Sequence, residues 1–261
     1  MTVQLGINPL TWTNDDLPSL GAETPLETCL SEGKLAGFAG FELGNKFPRE
    51  ASQLGPILAG HELQLVSGWY SGELLTRSVE EEIEAAQPHL TLLRELGAKV
   101  MVFAEVTGCI HGDQTTSAHL RPHFPEDKWQ EYGEKLSEFA RYTQSQGVQI
   151  AYHHHMGTVI ESAQDIDNLM MHTDKEVGLL LDTGHLTFAG ADPLAVAQRW
   201  LIASTMFTPR MCVLMFWQTS RTVRPAFLMR YWMACLRCLV TVAWISRPYL
   251  NCWQKTVTKA G

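Results

Sequence analysis

Six short apolar runs alternate with longer amphipathic segments along the first 200 residues of the chain. Most of the runs are continuously apolar, which is typical of strands that are buried on both faces of a sheet. Strands that alternate with helices form parallel sheets. We therefore predict six β-α units, whose strands are residues 3–8, 40–43, 63–67, 99–104, 149–153 and 177–181.

Signals for helix ends fall between these strands. The sequences Thr24-Pro25-Leu26-Glu27 and Ser78-Val79-Glu80-Glu81 have the capping-box pattern, in which a hydroxyl group and a carboxylate each accept from a backbone N–H of the other residue. Gly97 and Gly147 stand where a helix commonly ends in a left-handed glycine. The predicted helices cover about 25–36, 78–96, 126–146, 162–172 and 193–200.

The turn after the first strand distinguishes two architectures that both contain a parallel sheet. A doubly wound dinucleotide-binding sheet places a glycine-rich loop at this turn. The chain has Asn8-Pro9-Leu10-Thr11-Trp12 there instead. We therefore predict an α/β fold of the (β/α)8 TIM barrel type, incomplete in this chain, with about six units readable and two missing or unreadable.

The composition changes abruptly near residue 200. Residues 1–200 contain 12 Lys and Arg and all 28 Asp and Glu, a net charge of −16, whereas residues 201–261 contain 8 Lys and Arg and no acidic residue. The second segment also lacks His and has only 1 of the 20 Gly. We predict that residues 1–200 are the barrel body and that residues 201–261 are an anomalous tail of low order.

The acidic body argues against nucleic acid as a partner, because phosphates are bound by clustered Lys and Arg. Cys29 and Cys109 are the only cysteines of the body, and they have neither metal-motif spacing nor a disulfide pattern. No basic segment precedes an apolar run at the N-terminus. These features predict a cytoplasmic protein. They leave the oligomeric state open, a homo-oligomer included.

Polar side chains collect where the predicted strands end, which is the active-site edge of a barrel. The fifth strand runs into three consecutive histidines and the sixth into an Asp-Thr-Gly-His sequence. Residues two apart on a strand face the same side, so His153 and His155 would face Asp182 of the neighbouring strand. Imidazole and carboxylate groups bind divalent cations. We predict a metal site made of His153 and Asp182, with His155 or His185 completing it.

Each of these motifs also has a purely structural interpretation. The three histidines could lie on a surface loop. Asp182 could serve only as the N-cap of a helix in the loop after the sixth strand.

Other residues at the strand ends are candidates for catalysis and substrate binding. Glu105 ends the fourth strand, where a partly apolar pocket would raise its pKa toward neutrality and suit it to acid–base work. Asn8 and Glu42 end the first two strands and are predicted to bind substrate, although Glu42 could instead be a solvated loop residue. Trp12 and Trp69 would form an apolar wall for a sugar ring, or serve only in packing.

Five segments carry a resemblance to a known family. They are Gly6-Ile7-Asn8-Pro9-Leu10-Thr11-Trp12, Gly40-Phe41-Glu42-Leu43-Gly44, Phe103-Ala104-Glu105-Val106-Thr107-Gly108, Ala151-Tyr152-His153-His154-His155-Met156-Gly157-Thr158, and Leu181-Asp182-Thr183-Gly184-His185 with Phe188-Ala189-Gly190. On these segments the body resembles the inosose dehydratases of the xylose isomerase-like TIM barrel superfamily.

The resemblance implies a lyase that dehydrates a small cyclic polyol ketone, scyllo-inosose, in inositol breakdown. It implies Co²⁺ or Mn²⁺ and, as a further requirement, glutathione, for which the residues themselves show no site. Superfamily relatives usually hold the metal with Glu, Asp, His and Glu from the last four strands. By this resemblance Asp182 matches the Asp, and His153 stands where relatives often have Glu.

The resemblance also suggests how the reaction would proceed. A metal would polarise the ketone, and Glu105 and a histidine of the 153–155 run, His155, would act as base and acid. A metal-dependent sugar isomerase or epimerase on the same barrel is the alternative, because a fold does not specify a reaction.

The tail lacks the His-x-His-x-Lys-Asp-like and Pro-Gly-Asp-Gly segments that the resemblance requires near strands seven and eight. Suitable synonymous codons for residues 204–213 and 237–246, when read from the third base of each codon, would encode these two segments in the right order. We hypothesise a frameshift from about Leu201, which would leave an inactive, truncated barrel with an open edge beside the sixth strand. The alternative is a membrane segment at residues 225–246, but two arginines interrupt it, each costing roughly 2.5–3.5 kcal/mol near the bilayer centre.

Overall fold

The computed structural model describes residues 4–200, 204–208 and 241–244. Within them, eight strands close into a barrel in chain order. The strands from β1 to β7 pair in parallel, so the six predicted strands and their parallel sheet are confirmed. The strands are β1 Gln4–Ile7, β2 Gly40–Leu43, β3 Gln64–Gly72, β4 Val100–Glu105, β5 Gln149–His153, β6 Val177–Asp182, β7 Ser204–Thr208 and β8 Thr241–Trp244.

Helices connect the strands through β7. They are α1 Leu26–Leu35, α2 Ala51–Gly60, α3 Val79–Glu95, α4 Trp129–Ser145, α5 Ala163–His172, α6 Thr183–Phe188 and α7 Pro193–Trp200. The capping box predicted at Ser78 and Glu81 is present. The box predicted at Thr24 is wrong, because α1 begins after Pro25, and that residue makes no side-chain cap.

Two further elements differ from the prediction. β3 continues to Gly72, beyond the predicted end at residue 67, so Trp69 is a strand residue. α2 has no counterpart among the predicted helices, because its Gly55, Pro56 and Gly60 are poor helix formers that weaken the local signal. Tertiary packing of Leu54 and Leu58, which are both buried, overrides that weakness.

Two short strands from the tail complete the barrel. β7 pairs in parallel with β6, so the predicted open edge beside the sixth strand is wrong. β8 runs antiparallel to both β7 and β1, whereas all eight strands of a regular (β/α)8 barrel are parallel. The C-terminal part is therefore anomalous, as predicted. The predicted low order and the alternative membrane segment at 225–246 otherwise lie outside the described residues, and no helix within those residues is long and apolar enough to span a bilayer.

The alternation of side chains along the strands separates an inner from an outer set of buried residues. On β4, Phe103 belongs to the outer set, because its ring centroid lies 5.8 Å from that of Phe139 of α4. The inner set is Val100, Val102, Ala151 and Leu180, with Trp69 packed against it. A residue that lies two positions from an inner residue on the same strand also points into the barrel. The candidate site is built from such inward-pointing residues at the ends of the strands.

Candidate metal and substrate site

Three side chains converge where β5 and β6 end. His153 is the last residue of β5, Asp182 is the last residue of β6, and His185 lies in α6. One ligand atom of each lies within 4.8 Å of the other two, and all three residues are buried. The Nε2 atoms of His153 and His185 lie 3.4 and 3.8 Å from Asp182 Oδ2. Two imidazoles and a carboxylate at this spacing could hold a divalent metal ion.

The two carboxylate oxygens of Asp182 have different contacts. Oδ1 accepts a hydrogen bond of 2.9 Å from the backbone N–H of His185 and thereby caps α6. Oδ2 faces the imidazoles of His153 and His185. The two interpretations of the Asp-Thr-Gly-His sequence, a helix cap and a metal ligand, are compatible because each uses a different oxygen.

Aromatic rings pack against this triad. The ring centroid of His155 lies 4.0 Å from that of His185 and 5.4 Å from that of His153. The Trp69 ring packs edge-on against His153 and His155, with centroids 5.5 and 5.4 Å away. His155 Nδ1 lies 2.9 Å from the carbonyl of Met156, to which it donates, so Nε2 holds the lone pair of the neutral ring. In its neutral form, His155 would therefore present Nε2 as a proton acceptor beside the triad.

Glu42 is a buried strand residue and not a solvated loop residue. Its side chain accepts hydrogen bonds from Asn8 Nδ2 at 2.5 Å and from Ser67 Oγ at 2.7 Å. Ser67 and Trp69 lie on the same face of β3 because they are two residues apart. Asn8 and Glu42 thus belong to the inner wall of the barrel, together with Trp69.

Trp12 lies away from this wall. Its indole N–H donates to Glu32 of α1 at 2.5 Å, and its ring packs on Phe41, with centroids 5.7 Å apart. The Phe41 ring faces α1, since a Cβ added to Gly33 would lie 2.3 Å from it. The contacts of Trp12 correspond to the packing role, and the structure does not bring it to the other predicted substrate-binding residues.

Glu105 also faces the helices and not the barrel interior. It lies two residues beyond Phe103 on β4, so its side chain shares the outer face of that strand. Oε1 accepts from the hydroxyl and backbone N–H of Thr107, at 2.6 and 3.1 Å, and Oε2 accepts from the backbone N–H of Leu75 at 3.3 Å. The structure therefore does not bring Glu105 to His155, the other residue predicted to transfer protons.

The raised pKa of Glu105 should make stability depend on pH. Burial raises the pKa to about 7, although hydrogen bonds from Thr107 and Leu75 lower it. Since the folded chain binds this proton more tightly than the unfolded chain, the stabilisation is complete below about pH 4.5 and is lost as the pH rises through about 7. Between pH 5 and 8, we expect this group to lower the free energy of unfolding by about 2–3 kcal/mol.

Urea denaturation of the wild type and of Glu105→Gln at both pH values measures this contribution. The variant should lose the pH dependence that Glu105 supplies. Glu138→Gln, an exposed change on α4, is the matched control and should behave as the wild type does. Equal pH dependence in the wild type and in Glu105→Gln would contradict the raised pKa.

Two residues near the site belong to none of the motifs that the sequence singled out. His111, in the loop after β4, has its ring centroid 5.2 Å from that of His155 and 6.3 Å from that of Trp69. His111 Nε2 lies 3.6 Å from Oδ1 of Asp16, which is in the loop after β1. Only one feature of the sequence could have pointed to these two residues. They lie in loops that follow predicted strands, and such loops form the active-site edge of a barrel.

A family model of the xylose isomerase-like TIM barrel matches residues 30–208. The chain belongs to this family. Within the xylose isomerase-like TIM barrel family, it is 47% identical to the rhizopine catabolism protein MocC of Rhizobium meliloti over 199 residues, which are 76% of this chain. The chain spans only 61% of the length of MocC.

An inosose dehydratase shows a similar relationship. Inosose dehydratase 2 of Bacillus cereus is 42% identical over 202 residues, which are 77% of this chain and 68% of that protein. The resemblance to inosose dehydratases is thereby confirmed.

Solved structures share the barrel at low sequence identity. The probable 3-DHS dehydratase AsbF of Bacillus anthracis has a TM-score of 0.59 at 12% identity, covering 83% of this chain and 76% of its own. The IOLI protein, solved with a zinc atom, has a TM-score of 0.53 at 15% identity, covering 72% and 66%. At these identities the likeness concerns the fold alone.

Proposed function

We propose that this barrel dehydrates scyllo-inosose, which is 2-keto-myo-inositol, to a trihydroxycyclohexane-1,2-dione in inositol catabolism. The observation that carries the proposal is the buried triad of His153, Asp182 and His185 with the His155 ring beside it. Removal of water beside a ketone needs a group that polarises the ketone and a group that accepts a proton. A divalent ion held by the triad would supply the first, and His155 would supply the second. The 42% identity to a protein named inosose dehydratase supports the substrate class.

The donor set of the triad fits a divalent cation. His153, Asp182 and His185 would hold the ion through two nitrogens and one oxygen, a set that Co²⁺, Mn²⁺ and Zn²⁺ all accept. We propose Co²⁺ or Mn²⁺ because the family resemblance favours them. The zinc atom described in the IOLI protein supports a divalent ion on this type of barrel. Glutathione remains a proposal from the resemblance alone, and none of the described residues is assigned to it.

The side chains around the triad are proposed to bind the substrate and move its protons. A divalent ion at the triad would polarise the ketone and acidify the adjacent C–H group. His155 Nε2 takes that proton, the C–H electron pair forms a C=C bond, and the C–O bond on the next carbon breaks. The same imidazolium returns the proton to the departing hydroxyl, so that water leaves and an enol remains, which becomes the dione.

Binding residues line the inner wall in this proposal. Glu42, oriented by Asn8 and Ser67, accepts hydrogen bonds from substrate hydroxyl groups. Trp69 packs against the apolar C–H face of the ring. Glu105 is not assigned a proton in this scheme, because its carboxylate is bonded on the helix side of β4.

An activity assay tests the function. Scyllo-inosose and a ketohexose are supplied separately, with Mn²⁺ or Co²⁺, to a purified chain whose residues from 201 onward are restored to the family reading frame, and dione formation and sugar isomerisation are followed. We expect the dione from scyllo-inosose alone, and we expect His155→Ala to reduce its formation by about 100-fold or more. His119→Ala removes an exposed histidine and should have no effect. Turnover of the ketohexose alone would establish an isomerase or epimerase instead.

We also propose that residues from about 201 onward are encoded out of frame. The support is the tail's lack of acidic residues and histidines, together with the two family segments that the shifted reading permits. The DNA sequence around the Trp200 codon tests this, and the proposal fails if no single-base change restores those segments. Repeating the assay with the chain as it stands measures how much activity the out-of-frame tail removes.

A further inference from the structure

A cleft opens at the end of the barrel where the strands finish. It lies between the loops that follow β1, β4 and β5, and α6 also contributes to it. Its walls combine apolar with polar side chains, which suits a cyclic polyol because the ring has apolar C–H faces and a polar rim. The apolar side is formed by Leu17, Ile110, Met156 and Phe188, and the polar side includes Asp16 and His111.

His111 lies between this cleft and the metal-binding triad. It lines the cleft, and its ring also packs against His155 and Trp69. Its Nε2 faces Asp16, whereas its Nδ1 is buried and has no hydrogen-bond partner within residues 4–200 and the two short tail strands. Because a buried nitrogen without a partner costs free energy, a ligand hydroxyl gains affinity by bonding to it once the His111 ring turns this nitrogen toward the cleft.

A close approach of two loops determines the position of His111. The Ile110 N–H donates to the carbonyl of Gly157 at 2.8 Å. A Cβ added to Gly157 would lie 2.9 Å from His111 N, and Gly157 has a left-handed φ of +78°. Only glycine satisfies both constraints. Gly60, which ends α2 and is not among the residues that line the cleft, would carry a Cβ with no neighbouring atom within 4 Å, so it provides a matched comparison.

We propose that His111, oriented by Asp16, binds a hydroxyl group of the cyclic polyol ketone in this cleft and so determines which polyols the site accepts. This inference rests on the function proposed above. Asp16 is a positioning residue in this arrangement, and His111 contacts the substrate.

Isothermal titration of the full chain with myo-inositol, an unreactive cyclic hexol, tests the inference at saturating Mn²⁺. We expect His111→Ala to weaken myo-inositol binding about tenfold, and Asp16→Asn to weaken it less. His111→Gln should restore part of the affinity, since an amide can bond to a hydroxyl at nearly the same place. A parallel titration with Mn²⁺ alone should give affinities within about twofold of the wild type.

Glycine variants provide a second measurement that leaves the imidazole in place. Gly157→Ala should weaken myo-inositol binding by displacing the His111 backbone, whereas Gly60→Ala should not. Unchanged myo-inositol affinity in His111→Ala would overturn the inference, as would a parallel loss of Mn²⁺ affinity. If the wild type binds a ketohexose and not myo-inositol, and this binding needs His111, the role of His111 holds while the proposed dehydratase function fails. If the wild type binds neither sugar, both fail.

Discussion

Replacing Asp182 with asparagine is expected to weaken Mn²⁺ binding on the order of 100-fold or more. The change removes the negative charge that Oδ2 directs at the imidazoles of His153 and His185. The new amide oxygen would still accept from the His185 backbone N–H, because asparagine is a good N-cap residue, so α6 should persist. His153→Ala should have an effect of similar size, since it removes a proposed ligand atom 3.4 Å from Oδ2. Isothermal titration with Mn²⁺ measures both changes.

The control for this prediction is an exposed aspartate that pairs with a surface arginine. Asp174 forms an ion pair with Arg141, and both side chains are more than half exposed. Asp174→Asn should leave Mn²⁺ affinity unchanged, and circular dichroism should show the same helix content in all variants. If Asp182→Asn and His153→Ala bind Mn²⁺ as the wild type does, the metal is held elsewhere in the chain.

Replacing Arg121 with methionine is expected to lower the free energy of unfolding by about 3–5 kcal/mol. Arg121 NH2 lies 2.9 Å from Asp165 Oδ2, and its Nε lies 3.4 Å from Glu161 Oε1, with all three side chains only 11–15% exposed. Arg121 also donates to the carbonyls of Thr158 and Val159. Methionine would keep the apolar stem but would leave two nearly buried carboxylates without their shared cation.

Chemical denaturation at pH 7 measures this loss. Arg141→Met is the matched control, because it breaks an exposed ion pair with Asp174 and should cost less than about 1 kcal/mol. Burial raises the pKa of Glu161, whereas the Gly157 backbone N–H and the charge of Arg121 lower it. The loss in Arg121→Met should therefore shrink at acidic pH, where Glu161 is protonated. Equal losses in the two arginine variants would show that burial does not strengthen the Arg121 pairs.

Several features of this protein were determined by its sequence alone. Continuous apolar runs and the Ser78 capping box are local properties, so they predicted the six parallel strands and the start of α3. His153 and Asp182 were predicted to meet because neighbouring parallel strands end at the same edge of a barrel. The Asp-Thr-Gly-His sequence was also predicted as either a helix cap or a metal ligand, and the two carboxylate oxygens accommodate both.

The directions of other side chains were decided only by the tertiary structure. Glu105 and Asp182 both end an apolar strand, yet Asp182 is in phase with the inner Leu180 and Glu105 with the outer Phe103. A run that is apolar on both faces does not reveal which face turns inward, because the pattern of its residues is the same either way. His111 and Asp16 lie in loops without a local pattern, and they come together only because barrel closure brings the loops after β1 and β4 to one rim.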